Sequence, residues 1–160
     1  MNGFFQIILG LSRGANILAG ITLTLIMGIT VTDVVLRSLG RPIVGTFELV
    51  AFFGAVVIGF SLPFTSWVRG HIYVDFFVMK LAPKVRSAVH LATRCTGLGL
   101  FLLIGWNLIK MGADLSRSGE VSPTLQMPFY PVVYGVGVAC LLQCLVLLCD
   151  IVKVLRGQYE

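Results

Sequence analysis

Apolar residues fall in four long blocks separated by short polar stretches. The blocks run from about Ala15 to Leu36, Thr46 to Trp67, Val89 to Ile109 and Phe129 to Ile151. A helix needs about 20 mostly apolar residues to cross a bilayer, and each block supplies that length. The third is the weakest, because His90 and Arg94 fall in its first turns. Between blocks two and three lies "RGHIYVDFFVMKLAP", whose apolar part is too short to cross. Its Ile72, Phe76 and Met79, with Tyr73 and Phe77, follow helical spacing, while Arg69, His71, Asp75, Lys80 and Lys84 supply polar ends. This pattern predicts a short amphipathic helix over residues 71–82, lying in the membrane interface. No internal repeat, low-complexity tract or linker interrupts the chain. The expected fold is one all-α integral membrane domain, residues 1–160, with four transmembrane helices and one interfacial helix.

Composition excludes a soluble alternative. Hydrophobic residues make up 57% of the chain and charged residues only 12%, with a mean hydropathy of +0.95, against roughly 25% charged in ordinary soluble domains. The net charge of +5 would point to nucleic acid only if it formed a patch on a soluble fold. Here the cations flank the apolar blocks, which reads as membrane orientation. Arg13, Arg69, Lys80, Lys84, Arg86, Arg94, Lys153 and Arg156 lie on one side, and Arg37, Arg41, Lys110 and Arg117 on the other. The richer side is expected to be cytoplasmic. Both termini are then inside, and the loops Gly40–Gly45 and Met111–Met127 face outside. The opening "MNGFFQIILGLSRG" has no cation ahead of its apolar run. It reads as an amphipathic lead-in to the first span, not as a cleaved signal.

Few side chains carry candidate chemistry. His71 and His90 sit near one surface on different elements, unlike the paired axial histidines of a haem-binding span. Cys95, Cys140, Cys144 and Cys149 do not form the accessible C-x-x-C pair of a thiol oxidase, and Cys140 and Cys144 share a helix face where they read as small packing residues. Gly97, Gly99, Gly135 and Gly137 are candidates for close helix approach, and Gln143 for an interhelical hydrogen bond. Pro63 is expected to kink the second span.

The charges of "VTDVVLRSLGRPIVGTFELV" need a reason. Asp33 and Arg37 are four residues apart and can meet on one helix face; Glu48 enters the second span from the same side. All lie in one shallow outer band, with no carboxylate mid-span to continue an ion path. The expectation is a network of Asp33, Arg37 and Glu48 tying spans one and two together, with Arg41 left exposed.

Three stretches also carry a resemblance: "RSLGRPIVGTFELV", "RGHIYVDFF" and "GEVSPTLQMPFYPVVYG". In order and spacing the chain resembles the small membrane subunit, the Q-type component, of tripartite ATP-independent periplasmic (TRAP) transporters. The resemblance implies a non-catalytic scaffold in the inner membrane. Its partners would be membrane lipids, a large elevator-type subunit that carries the substrate and sodium sites, and a periplasmic binding protein that delivers a carboxylate or sulfonate. No cofactor would be bound by this chain, and no nucleic acid. Arg41, Pro42, Asp114, Arg117 and Glu120, on the expected outer side, are the candidate docking residues for that binding protein. The alternatives are a self-contained four-helix exporter, which would depend on a mid-membrane carboxylate, and the membrane anchor of a redox complex.

Overall fold

The computed structural model of the chain describes residues 2–68 and 83–155. They form four helices: α1 (Asn2–Ser38), α2 (Thr46–Trp67), α3 (Pro83–Ser118) and α4 (Tyr130–Leu155). All four are long and apolar enough to cross a membrane. The interfacial helix expected over 71–82, with Arg69, His71, Tyr73, Asp75, Phe76, Phe77 and Lys80, lies outside the described residues.

Helix α2 has the limits that its apolar block predicts. The other three outrun theirs, because a hydropathy window marks acyl-chain contact and not the helix itself. Nothing breaks α1 before Gly40, so the whole N-terminal lead-in is helical. Helix α3 starts at Pro83, where a proline's missing N–H costs nothing. It continues to Ser118 and stops at Gly119, whose φ of 69° is left-handed. The loop expected over Met111–Met127 is therefore shorter. Pro63 lies inside α2, which runs on through it to Trp67.

Among the described residues the main contacts run in the order α1–α2–α4–α3, with a lighter additional touch between α1 and α4. Helix α4 is thus packed on two sides and is the most buried span. Helix α1 buries a single seam. Phe5, Ile8, Ser12, Ala15, Ala19, Thr22, Ile26, Ile29, Asp33 and Leu36 are buried or half-buried, and nearly everything between them is exposed. That alternation of three and four residues is the repeat of left-handed helix packing. At its terminal end, Ile8 joins Val146 and Cys149 in a small core, with Phe5 and Trp67 packed against it.

Helices α2 and α4 run parallel, and their contacts advance seven residues at a time on both. Phe52 meets Phe129 with ring centroids 5.2 Å apart, Gly59 faces Val136, and Ser66 accepts a 2.6 Å hydrogen bond from Gln143 Nε2. Gln143 is buried; its partner Ser66 is the penultimate residue of α2, so this bond lies toward the terminal end of the bundle. Such bonds between membrane helices contribute about 0.6 kcal/mol on average.

Helices α3 and α4 run antiparallel, and glycines set how close they come. A Cβ on Gly112 would lie 3.0 Å from the Tyr134 ring, and one on Gly105 would lie 3.2 Å from Leu141. Gly137 packs under Leu108 and Ile109, Gly97 faces Leu147, and Gly135 faces Phe60 on α2. Gly99 does not belong with them: nothing lies within 4 Å of its would-be Cβ, because it points away from α4. Gly59, Gly105 and Gly112 are the closer approaches, and a bare count of glycines does not single them out.

Replacing Gly105 by leucine should wedge α3 from α4 and cost about 1–3 kcal/mol, the usual range for overpacking. The same change at Gly99 should stay within about 0.5 kcal/mol. Thermal unfolding midpoints of the two variants in one detergent would check this contrast; similar midpoints would contradict the packing.

Candidate functional site

The turn between α1 and α2 is built by two glycines. Gly40, at φ 76°, ends α1: its N–H bonds to the Arg37 carbonyl and the Arg41 N–H to the Leu36 carbonyl. This is the six-to-one closure of a Schellman motif. Gly45, at φ 81°, starts α2 without a side-chain cap. Its bare Cα also lets Leu125 approach, since a Cβ there would fall 2.5 Å from Leu125 Cγ.

Asp33 organises this turn. A carboxylate near a helix C-terminus faces the wrong end of the dipole, so it needs local donors. Its Oδ2 pairs with Arg37 Nη2 at 2.7 Å, and its Oδ1 accepts the Ile43 N–H at 2.8 Å. Asp33 is only 5% exposed, whereas the Arg37 side chain is half in the open and lies 5.8 Å from the Phe47 ring centroid.

Glu48 does not join that pair, contrary to the three-residue network expected from spacing. Both its oxygens are taken by the other loop. Oε1 accepts the Thr124 N–H at 2.8 Å and Oε2 accepts the Leu125 N–H at 2.9 Å. The reason is geometric: Gly45 lets Leu125 approach the start of α2 on the Glu48 side, while Thr46 and Phe47 occupy the side facing Asp33 and Arg37. The receiving loop is itself closed. The Ser122 N–H donates to the Met127 carbonyl at 2.9 Å, the Gln126 N–H reaches the Ser122 carbonyl, and the Met127 N–H reaches Ser122 Oγ. Ser122 is buried beneath it. One carboxylate thus pins residues 122–127 to α2. Behind it, an apolar cleft of about 250 Å³ opens between Ala51, Phe52, Ala55, Pro123, Phe129 and Val133.

The candidate docking residues come to this same end of the bundle. Arg41 and Pro42 are exposed on the first turn. Asp114 and Arg117 are exposed, but on the last turns of α3 and not on a loop; Glu120 follows just beyond Gly119. Lys110 belongs with them, sharing a shallow depression with Asn107, Asp114, Ser118 and Glu120.

At the opposite end, Arg94 pairs with Asp150 at 3.5 Å, both buried between α3 and α4. Spacing alone leaves Arg94 among the orientation-setting cations. The missed signal is that both charges lie inside apolar blocks at the same end of two antiparallel spans. Lys153 lies over Trp67, 4.2 Å from its ring centroid, and over Phe5 at 5.6 Å. Cys140, Cys144 and Cys149 are buried and unpaired as thiols, and Cys95 is exposed. Among the described residues, no group of three or more His, Cys, Asp or Glu could hold a metal ion.

If Glu48 pins the second loop, Glu48→Ala should speed amide exchange at Thr124 and Leu125 by roughly tenfold or more, since hydrogen bonds to charged groups are the stronger kind. The Ile43 amide, held by Asp33, should keep its rate. Hydrogen-exchange mass spectrometry of the 119–129 and 39–45 peptides separates these outcomes.

No curated protein and no solved structure matches the chain. Residues 26–157 match the family model described as tripartite ATP-independent periplasmic transporters, DctQ component. That span takes in the Asp33 turn, the Glu48-pinned loop and all of α2, and most of the chain with them. The chain belongs to the DctQ family, the small membrane component of TRAP transporters.

Proposed function

We propose that this chain is the non-catalytic scaffold of a sodium-coupled TRAP importer for an organic anion, a carboxylate or sulfonate. In this reading it braces the large elevator-type subunit, which holds the substrate and sodium. Its paired loops form part of the surface on which the periplasmic binding protein docks. The observation that carries the reading is the Glu48 bond to Thr124 and Leu125. It joins two loops from opposite parts of the sequence at the end of the bundle where Arg41 lies on one flank and Asp114, Arg117 and Glu120 on the other. Complementary charge across an interface steers encounter and fixes register.

The distribution of carboxylates supports a scaffold over a self-contained exporter. Among the described residues, Asp33, Glu48, Asp114 and Glu120 lie toward the loop end and Asp150 toward the terminal end, with no chain of acids between them to relay protons or ions. The excess of cations on the side of the termini supports cytoplasmic termini in the inner membrane and, with them, paired loops that face the periplasm.

Reversing both arginines, Arg41→Glu with Arg117→Glu, should raise the binding-protein concentration needed for half-maximal uptake by roughly tenfold or more. The two membrane subunits should still co-purify. Uptake of a panel of organic acids into liposomes with and without an inward sodium gradient, with the binding protein titrated, measures this. Unchanged half-saturation would remove the docking role. Transport by this chain alone would remove the scaffold reading.

A further inference from the structure

The helix register compares heights across the bundle, and the two flanking helices disagree about where the membrane lies. Near Lys110, Ile109 of α3 packs on Gly137 of α4, and the adjoining Val136 packs on Gly59 of α2. Lys110 therefore stands level with the middle of α2. By the same register Asp114 and Arg117, also exposed, stand level with Ala55 and Phe52. At those heights α2 exposes Ile58 and Ala51, and α1, past Ala19, exposes Ile21.

The mismatch reverses lower down. Ile8 packs with Val146. One turn further along α1 is Ser12, and one turn back along α4 is Gln143, which is bonded to Ser66. The exposed Arg13 adjoins that level. Across the bundle, Cys144 lies against the Leu98 carbonyl and Leu141 against Gly105. At the height of Arg13, α3 therefore exposes Leu102 and Leu103.

A bilayer perpendicular to the helix axes would put either Lys110 and Asp114 or Arg13 among acyl chains, where charge is costly. Snorkelling shifts a head group by only part of a side-chain length. We propose that the four-helix bundle sits obliquely in the bilayer, leaning so that the last turns of α3 emerge on the loop side while the α1–α2 turn stays at the lipid surface. The Asp33–Arg37 pair and the Ile43 backbone it holds mark that surface on one flank and Lys110 marks it on the other. They differ by roughly sixteen residues of height, about 24 Å at 1.5 Å per residue. A height difference of that size tilts the bundle well away from the bilayer normal.

A third observation agrees. The α1–α2 turn carries Leu39, Val44 and Phe47, each about 70–80% exposed, which suits the headgroup boundary. The end of α3 carries Asp114, Ser116, Arg117 and Ser118, exposed and polar. On loop-side accessibility, Trp106 with Lys110 at 5.3 Å from its ring centroid forms the aromatic–cation pair typical of an interface. The proposal depends neither on which side is cytoplasmic nor on the docking reading.

Spin labels compare the two flanks at equal height. In the assembled complex with the large subunit, in lipid vesicles and on a Cys95→Ser background, labels would be placed singly at Ile21→Cys, Met111→Cys, Arg13→Cys and Leu103→Cys. Ile21 and Met111 share one height; Arg13 and Leu103 share another. The lean predicts that oxygen collisions exceed those of a water-soluble nickel chelate at 21 and 103, and that the ratio inverts at 111 and 13. Matching ratios within each pair would overturn the proposal. So would shielding of position 111 from both reagents, because a covering protein would then explain the polar end of α3.

Discussion

Close packing of α4 on two neighbours at once is the constraint on which the rest depends. In hydrocarbon, apolar side chains gain little by leaving lipid for one another, so helix association rests on tight contact and on hydrogen bonds. Helix α4 meets α2 in a parallel seven-residue register, through Phe129, Val136 and Gln143. It meets α3 antiparallel, where Gly105 and Gly112 let the backbones close. Two registers on one helix leave little freedom to slide. Heights across the bundle are therefore fixed, and so are the partners available to each polar side chain.

Three carboxylates show how that matters. Asp33 serves its own helix and the turn that follows, so its partners are near in sequence. Glu48 bonds to amides 76 and 77 residues away, and Asp150 pairs with a cation on a different helix. All three are acids at the edge of an apolar block. Only the local one could be paired by counting along the chain, because i to i+4 spacing is a property of one helix, whereas the other two partnerships exist only once helices are side by side.

The same division explains the boundaries. Apolar blocks gave α2 its limits, since both ends of that helix coincide with turns. They understated α1, α3 and α4 because a helix with no breaker continues past the acyl chains. That extension moves Asp114 and Arg117 from an expected loop onto a rigid helix end, which changes what they offer a partner: a fixed geometry in place of a mobile one.

By itself the sequence determined the class, the number of spans, the local Asp33–Arg37 pair and, through the motifs around Arg41, Glu48 and Pro128, the family. These are consequences of length, periodicity and short-range spacing, which a linear chain carries in full. Only the tertiary structure decided that Glu48 fastens the second loop, that Gly105 and Gly112 and not Gly99 set the α3–α4 approach, and that Arg94 belongs to Asp150. Those outcomes depend on the relative rotation and height of separate helices. In a membrane many helix faces are equally apolar, so hydrophobicity does not choose among them; steric fit and hydrogen bonding do, and both require the neighbour to be in place.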